Sequence, residues 1–110
     1  RDFFDIFALS DRVAFDGDAL ARTVHATFAR RGTPIPDSPP FAFTPAFATI
    51  PEKQAQWRGF RRKSGARAAP DDFAAVVAGI AAFLGPALAS AREGSALQAA
   101  WPAGGPWSPR

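Results

Sequence analysis

The chain has 110 residues, a formal net charge of +3 at pH 7, and neither cysteine nor methionine. With 47% apolar and 21% charged residues it has the balance of one globular domain with a modest core, and it is shorter than a typical two-domain enzyme. The missing cysteines exclude a disulfide framework, a thiolate metal site and a Cys nucleophile. His25 is the sole histidine, so a His-based metal site or a Ser-His-Asp triad lacks supporting members and His25 carries no assigned chemistry.

The sequence opens on Arg1-Asp2-Phe3-Phe4-Asp5-Ile6. Apolar spacing predicts a helix from about residue 2 to about 12, with Asp2 and Asp5 sharing a face while Phe3, Ile6 and Phe7 bury. Two readings fit the acids. Carboxylates one turn apart beside an arginine suit a metal, a nucleotide or a proton; acids in a first turn also simply complement the backbone dipole and cap the helix. A start inside an amphipathic helix, without Met, reads as a segment of a longer protein. A Phe-rich face left exposed on this helix would suit a further lobe or a dimer partner.

A second helix is expected to begin near Asp16 or Asp18, to place Leu20, Val24 and Phe28 at four-residue spacing, and to stop at Gly32 ahead of Pro34. Asp16-Gly17-Asp18 has the Asp-x-Asp form that holds catalytic metals on a strand. Here it precedes a helix and no Gly-Ser turn leads into it, so capping explains it better. Residues 33–43 carry four prolines and read as an extended connector held by Ile35, Phe41 and Phe43. Thr44-Pro45 marks the N-cap and first position of a short turn through Phe47.

The next helix is predicted from Pro51-Glu52 to about Lys63, stopped by Ser64-Gly65 and anchored by Trp57 and Phe60. Between Glu52 and Arg67 six basic residues face one acid, so an anionic partner is favoured there. Lys53, Arg58, Arg61, Arg62 and Lys63 could contact nucleic-acid phosphates; a solvated helix face with two core aromatics accounts for the same residues. Pro70-Asp71-Asp72 announces the last helix, with Phe73, Val76 or Val77, Ile80, and Phe83 or Leu84 at helical spacing. Pro86 should kink or restart it near Gly85 before it continues to Arg92.

Trp101 and Trp107 sit in an irregular tail that can pack back on the helices. The apolar stretch from Phe73 to Ala91 is interrupted by Gly79, Gly85, Pro86 and Ser90, so neither a membrane span nor a signal peptide is expected, and the expected location is cytoplasmic. No segment shows strand-like alternation. The expected fold is therefore all-α: one helical domain over residues 1–110, with about four main helices, a Pro-rich connector and an irregular C-terminal tail.

The order of these features resembles the C-terminal portion of the AbiEii/AbiGii-type toxin nucleotidyltransferases of abortive-infection and toxin–antitoxin systems. The resemblance rests on Arg1-Asp2-Phe3-Phe4-Asp5-Ile6, similar to an Arg-x-Lys-Asp-x-x-Asp motif, and on the segment Ala26-Thr27-Phe28-Ala29-Arg30-Arg31-Gly32-Thr33-Pro34. It continues through Lys53-Gln54-Ala55-Gln56-Trp57-Arg58-Gly59-Phe60 and Phe83-Leu84-Gly85-Pro86 to the Trp-Pro and Gly-Gly-Pro-Trp of the tail.

The resemblance implies an enzyme that uses Mg²⁺ and a nucleoside triphosphate, held by a Gly-Ser…Asp-x-Asp motif in an N-terminal lobe. It implies in-line attack of an acceptor hydroxyl on the α-phosphate with two metals. Asp2 and Asp5 would close the active site as its catalytic acids, Arg1 would neutralise phosphate, and tRNA and an antitoxin protein become candidate partners. Arg1 stands where the family has lysine, and arginine cannot give up a proton as lysine can. The metal-binding pair has no counterpart in these residues, so the segment alone is expected to be inactive and to need no cofactor. The other class that fits the residues is a stand-alone helical module binding nucleic acid or protein.

Overall fold

The structure is a computed structural model that describes residues 2–64 and 72–110, without the side chains of Asp2 and Ser64. Its helices are α1 (Asp2–Arg12), α2 (Gly17–Arg31), α3 (Pro45–Ala48), α4 (Pro51–Ser64) and α5 (Phe73–Glu93), with a 3₁₀ turn at Phe41–Phe43. The mostly helical expectation holds. The predicted stop at Gly65 and start at Pro70-Asp71 lie outside the described residues.

Local chemistry sets the helix ends. Asp16 caps α2 by accepting a hydrogen bond from the Ala19 amide at 2.9 Å, and Asp72 does the same for α5 through the Ala74 amide at 3.0 Å. Asp72 thus stands before the helix and not in its first turn. At the other ends Gly32 and Gly94 take φ of 65° and 70°. Each amide, with that of the following residue, returns to the last carbonyls of its helix: Ala29 and Phe28 for α2, Ala91 and Ser90 for α5. Thr44 occupies the N-cap position of α3 without capping it. Its hydroxyl donates instead to the Phe41 carbonyl at 2.6 Å.

The core is aromatic and centred on α5, where Val76 and Ile80 are fully buried. Phe4, Trp57 and Phe73 join them from α1, α4 and α5, and Phe43, Phe47 and Phe60 pack at the margin. By length and composition α5 could cross a membrane, with mean hydropathy 2.0, yet here it is the helix against which α1, α2 and α3 pack.

Two expectations need correction. Of the kink or restart expected near Gly85, the restart is absent: the helix is continuous through Pro86 to Glu93 and so passes Arg92 as expected. Pro86 has no N–H for the Ala82 carbonyl one turn earlier. The neighbouring Phe83 carbonyl accepts the Trp107 indole N–H at 2.9 Å, and the Trp107 ring stacks on Phe83 at 3° between planes. The second correction is a small antiparallel sheet that the periodicity did not show. In it β1 (Phe15–Asp16) pairs with β2 (Ala99–Trp101), and β2 with β3 (Ser108–Pro109). Strands of two or three residues are too short to display alternation.

The tail does pack back, as expected. Trp101 is 5% exposed and its indole donates to the Ser10 carbonyl at 2.7 Å. The Gly104 amide reaches the same carbonyl at 2.9 Å, so the tail caps the C-terminal end of α1. The last side chain, Arg110, pairs with Asp16 at 2.8 Å and also with Asp18.

Gly17 begins α2 directly against the tail. A Cβ at this position would lie 2.4 Å from the Leu97 carbonyl oxygen and 2.8 Å from that of Ala99, both backbone atoms. Gly17→Ala should therefore destabilise by about 1–3 kcal/mol in urea unfolding, whereas Gly59→Ala, where a Cβ meets nothing within 4 Å, should be neutral or stabilising.

Candidate functional site

The residues singled out for function lie on α1 and α4, which an aromatic contact locks together. The Phe4 ring centroid is 5.5 Å from Trp57 and 5.3 Å from Phe60, and Phe7 meets Trp57 edge-on at 5.8 Å. Phe4, not Phe3, Ile6 or Phe7, is the most deeply buried of these α1 residues, at 5% exposed. A helix that buries Phe3, Phe4 and Phe7 on one side turns Asp5 to the other, and Asp5 is exposed. The phenylalanines of α1 thus do not form an outward patch. Its exposed apolar residue is Leu9, followed just past the helix end by Val13.

Arg1 and the Asp2 side chain lie outside the described residues, so the predicted acid pair is represented by Asp5 alone. Among the described residues no three His, Cys, Asp or Glu side chains gather where they could hold a metal. Asp16 and Asp18 do not fit that role either, since one caps α2 and both are engaged by Arg110. These residues do not make a metal centre.

On α4 the five predicted basic residues do not share one face. With Trp57 buried at 1% exposure, the 100° step of a helix places Arg58 and Arg62 side by side one turn apart on the outer surface, and both are exposed. Lys63 projects from a different side. Lys53 is half-buried next to the core, and its Nζ is 3.5 Å from the Gln56 side-chain oxygen. Arg61, also half-buried, engages a partner within the protein. Only Arg58 and Arg62 form a coherent outward pair. The start of α4 is fixed separately, by Gln54 donating to the Ala48 carbonyl at 2.9 Å.

The family model described as nucleotidyl transferase AbiEii toxin, type IV toxin–antitoxin system, matches residues 1–79. The chain belongs to the AbiEii family. The AbiEii match takes in α1 through the first third of α5 and so includes Asp5 and the whole basic helix; the Pro86 turn, the sheet strands β2 and β3 and the two tail tryptophans lie beyond it. No curated protein and no solved structure matches the chain.

The two roles on α1 separate by mutation. Asp5→Asn should leave unfolding free energy within about 0.5 kcal/mol of the parent because the side chain is exposed. Phe4→Ala should cost about 3–5 kcal/mol by opening a cavity among three rings. Denaturant midpoints at constant slope check both.

Proposed function

We propose that this unit is the helical C-terminal lobe of an AbiEii nucleotidyltransferase toxin, which lines one side of the nucleotide and acceptor cleft and transfers nothing by itself. The observation that carries the reading is the family match over residues 1–79, combined with an α1 that buries its phenylalanines and leaves Asp5 outward.

In this reading Asp2 and Asp5 are the catalytic acids that the lobe contributes, and Arg1 neutralises phosphate beside them. The Mg²⁺ and the nucleoside triphosphate are held by an N-terminal lobe that carries a Gly-Ser…Asp-x-Asp motif, because the one Asp-x-Asp in these residues is spent on a helix cap and an ion pair. The α4 face grips a tRNA acceptor, chiefly through Arg58 and Arg62, while Lys53 and Lys63 contribute less. An antitoxin protein is the regulatory partner, and the protein works in the cytoplasm.

Exposed arginines one turn apart suit neighbouring backbone phosphates of a single strand, since each planar guanidinium presents a fixed fork of donors that matches two phosphate oxygens. Such contacts release counterions, so they are read in the salt dependence of binding more cleanly than in affinity alone.

Incubation of the 110-residue chain with Mg²⁺, labelled nucleoside triphosphates and tRNA should yield no labelled product. Robust transfer would overturn the lobe assignment. In the complete toxin, Asp5→Asn should lower turnover at least about a hundredfold if it belongs to the catalytic acids. For the RNA contact, replacing Arg58 and Arg62 together with Ala should reduce the slope of log K against log salt by about two, with Lys53→Ala changing it much less. An unchanged slope in the double variant would return α4 to the role of a solvated helix.

A further inference from the structure

The Pro-rich connector carries an exposed aromatic ring beside an apolar groove. Phe41 is 58% exposed, and it is the one aromatic side chain among the described residues left open to solvent in this way. Next to it in the chain, Pro39, Pro40 and Phe43 form one wall of a groove of about 300 Å³, and Gly85 and Leu88 of α5 form the other. Phe41 stands outside that groove, with its ring edge-on to Phe47 at 5.8 Å between centroids.

Three observations say what would fill the groove. The first is size: a cavity of about 150 Å³ with apolar walls takes a benzene-sized ring, so this one has room for a phenyl ring. The second is readiness. Arg92 donates to the Pro36 and Asp37 carbonyls at 3.1 and 3.2 Å, which pins the connector over α5 and leaves little to be ordered on contact. The third is charge. One acid, Asp37, and one base, Arg92, border the groove and both are exposed. A face so balanced can meet a copy of itself without net repulsion, which the arginine face of α4 could not do.

We propose that this face is a self-association surface: the partner is a second copy of this chain, and the Phe41 ring of each copy enters the groove of the other. Ring and groove lie within a few residues of each other in sequence, so pairing about a two-fold axis satisfies both copies at once and closes at the dimer. Neither ring then remains in water. A contact centred on two rings is small, which places the dimer in the weak class. The proposal is independent of the nucleotidyltransferase reading and stands or falls on its own residues.

Sedimentation equilibrium of the 110-residue chain between about 10 µM and about 1 mM tests it, with an expected Kd of about 50–500 µM. Phe41→Ala, which removes an exposed ring, should weaken association about tenfold or more. Gly85→Leu should do the same from the other side. A Cβ at Gly85 meets nothing within 4 Å, so the added side chain fills the groove, and leucine favours the helix over glycine. The two variants remove opposite halves of the contact and the second keeps a stable monomer, so misfolding does not imitate the result. Val13→Ala, which trims an exposed apolar side chain elsewhere, should leave the dimer unchanged. A monomer at every concentration overturns the proposal, including the case in which that monomer takes up a small aromatic such as indole. Undiminished association in Phe41→Ala or in Gly85→Leu, or equal loss in Val13→Ala, overturns it as well.

Discussion

The packing of Phe4 among Trp57, Phe60 and Phe73 is the contact on which the remainder depends. Rings from α1, α4 and α5 meet there at centroid distances of 5.3 to 6.0 Å, and Phe3 and Phe47 extend the cluster to α3. Tilted and edge-on aromatic pairs of this kind add about 0.5–1.5 kcal/mol each beyond the area they bury. The need is greatest for α4, a strongly polar helix whose large apolar side chains are Trp57 and Phe60. Its arginines can face outward only because those two rings, stacked at 20°, hold its other side. The outward position of Asp5 on α1 and of Arg58 and Arg62 on α4 is thus set by one hydrophobic event.

Helix existence and most helix ends were legible in the sequence because their causes are local. Asp16, Gly32 and Asp72 act within four residues of themselves, and a chain segment carries all the information such a cap requires. The sheet was not legible, since a pair such as Phe15 and Trp101 leaves no periodic trace in either partner. The identity of the innermost residue of α1 was missed for a related reason. A run of Phe3, Phe4, Ile6 and Phe7 covers more than half of a helix circumference, and only the position of α4 selects Phe4. The bond from Trp107 to the Phe83 carbonyl beside Pro86, across 24 positions, likewise leaves no local trace.

The candidate site was legible to a lesser degree. The outward position of Asp5 follows from helix geometry, but an exposed carboxylate has no chemistry until something else faces it. The run of positive charge on α4 was visible as a count, and a count does not distinguish faces. Once Trp57 fixes the rotation of the helix, half-buried Lys53 and partnered Arg61 drop out and Arg58 and Arg62 remain. The groove under the connector was invisible, as Gly85 and Leu88 are ordinary helix residues until the connector is laid across them.

The tail's bond from Trp101 to Ser10 spans 91 positions, and β1 waits for β2 across a similar length. Contacts of such long range form late, because the loop they close must first be shortened by local structure. The helices can collapse around the Phe4 cluster while Phe15, Asp16 and the end of α1 still lack their partners. On the ribosome that order is enforced by synthesis, which delivers the strand residues 99–109 after all five helices. Until they emerge, α1 has its aromatic anchor but no cap at its far end, so its last turn stays frayed until Trp101 and Gly104 reach the Ser10 carbonyl.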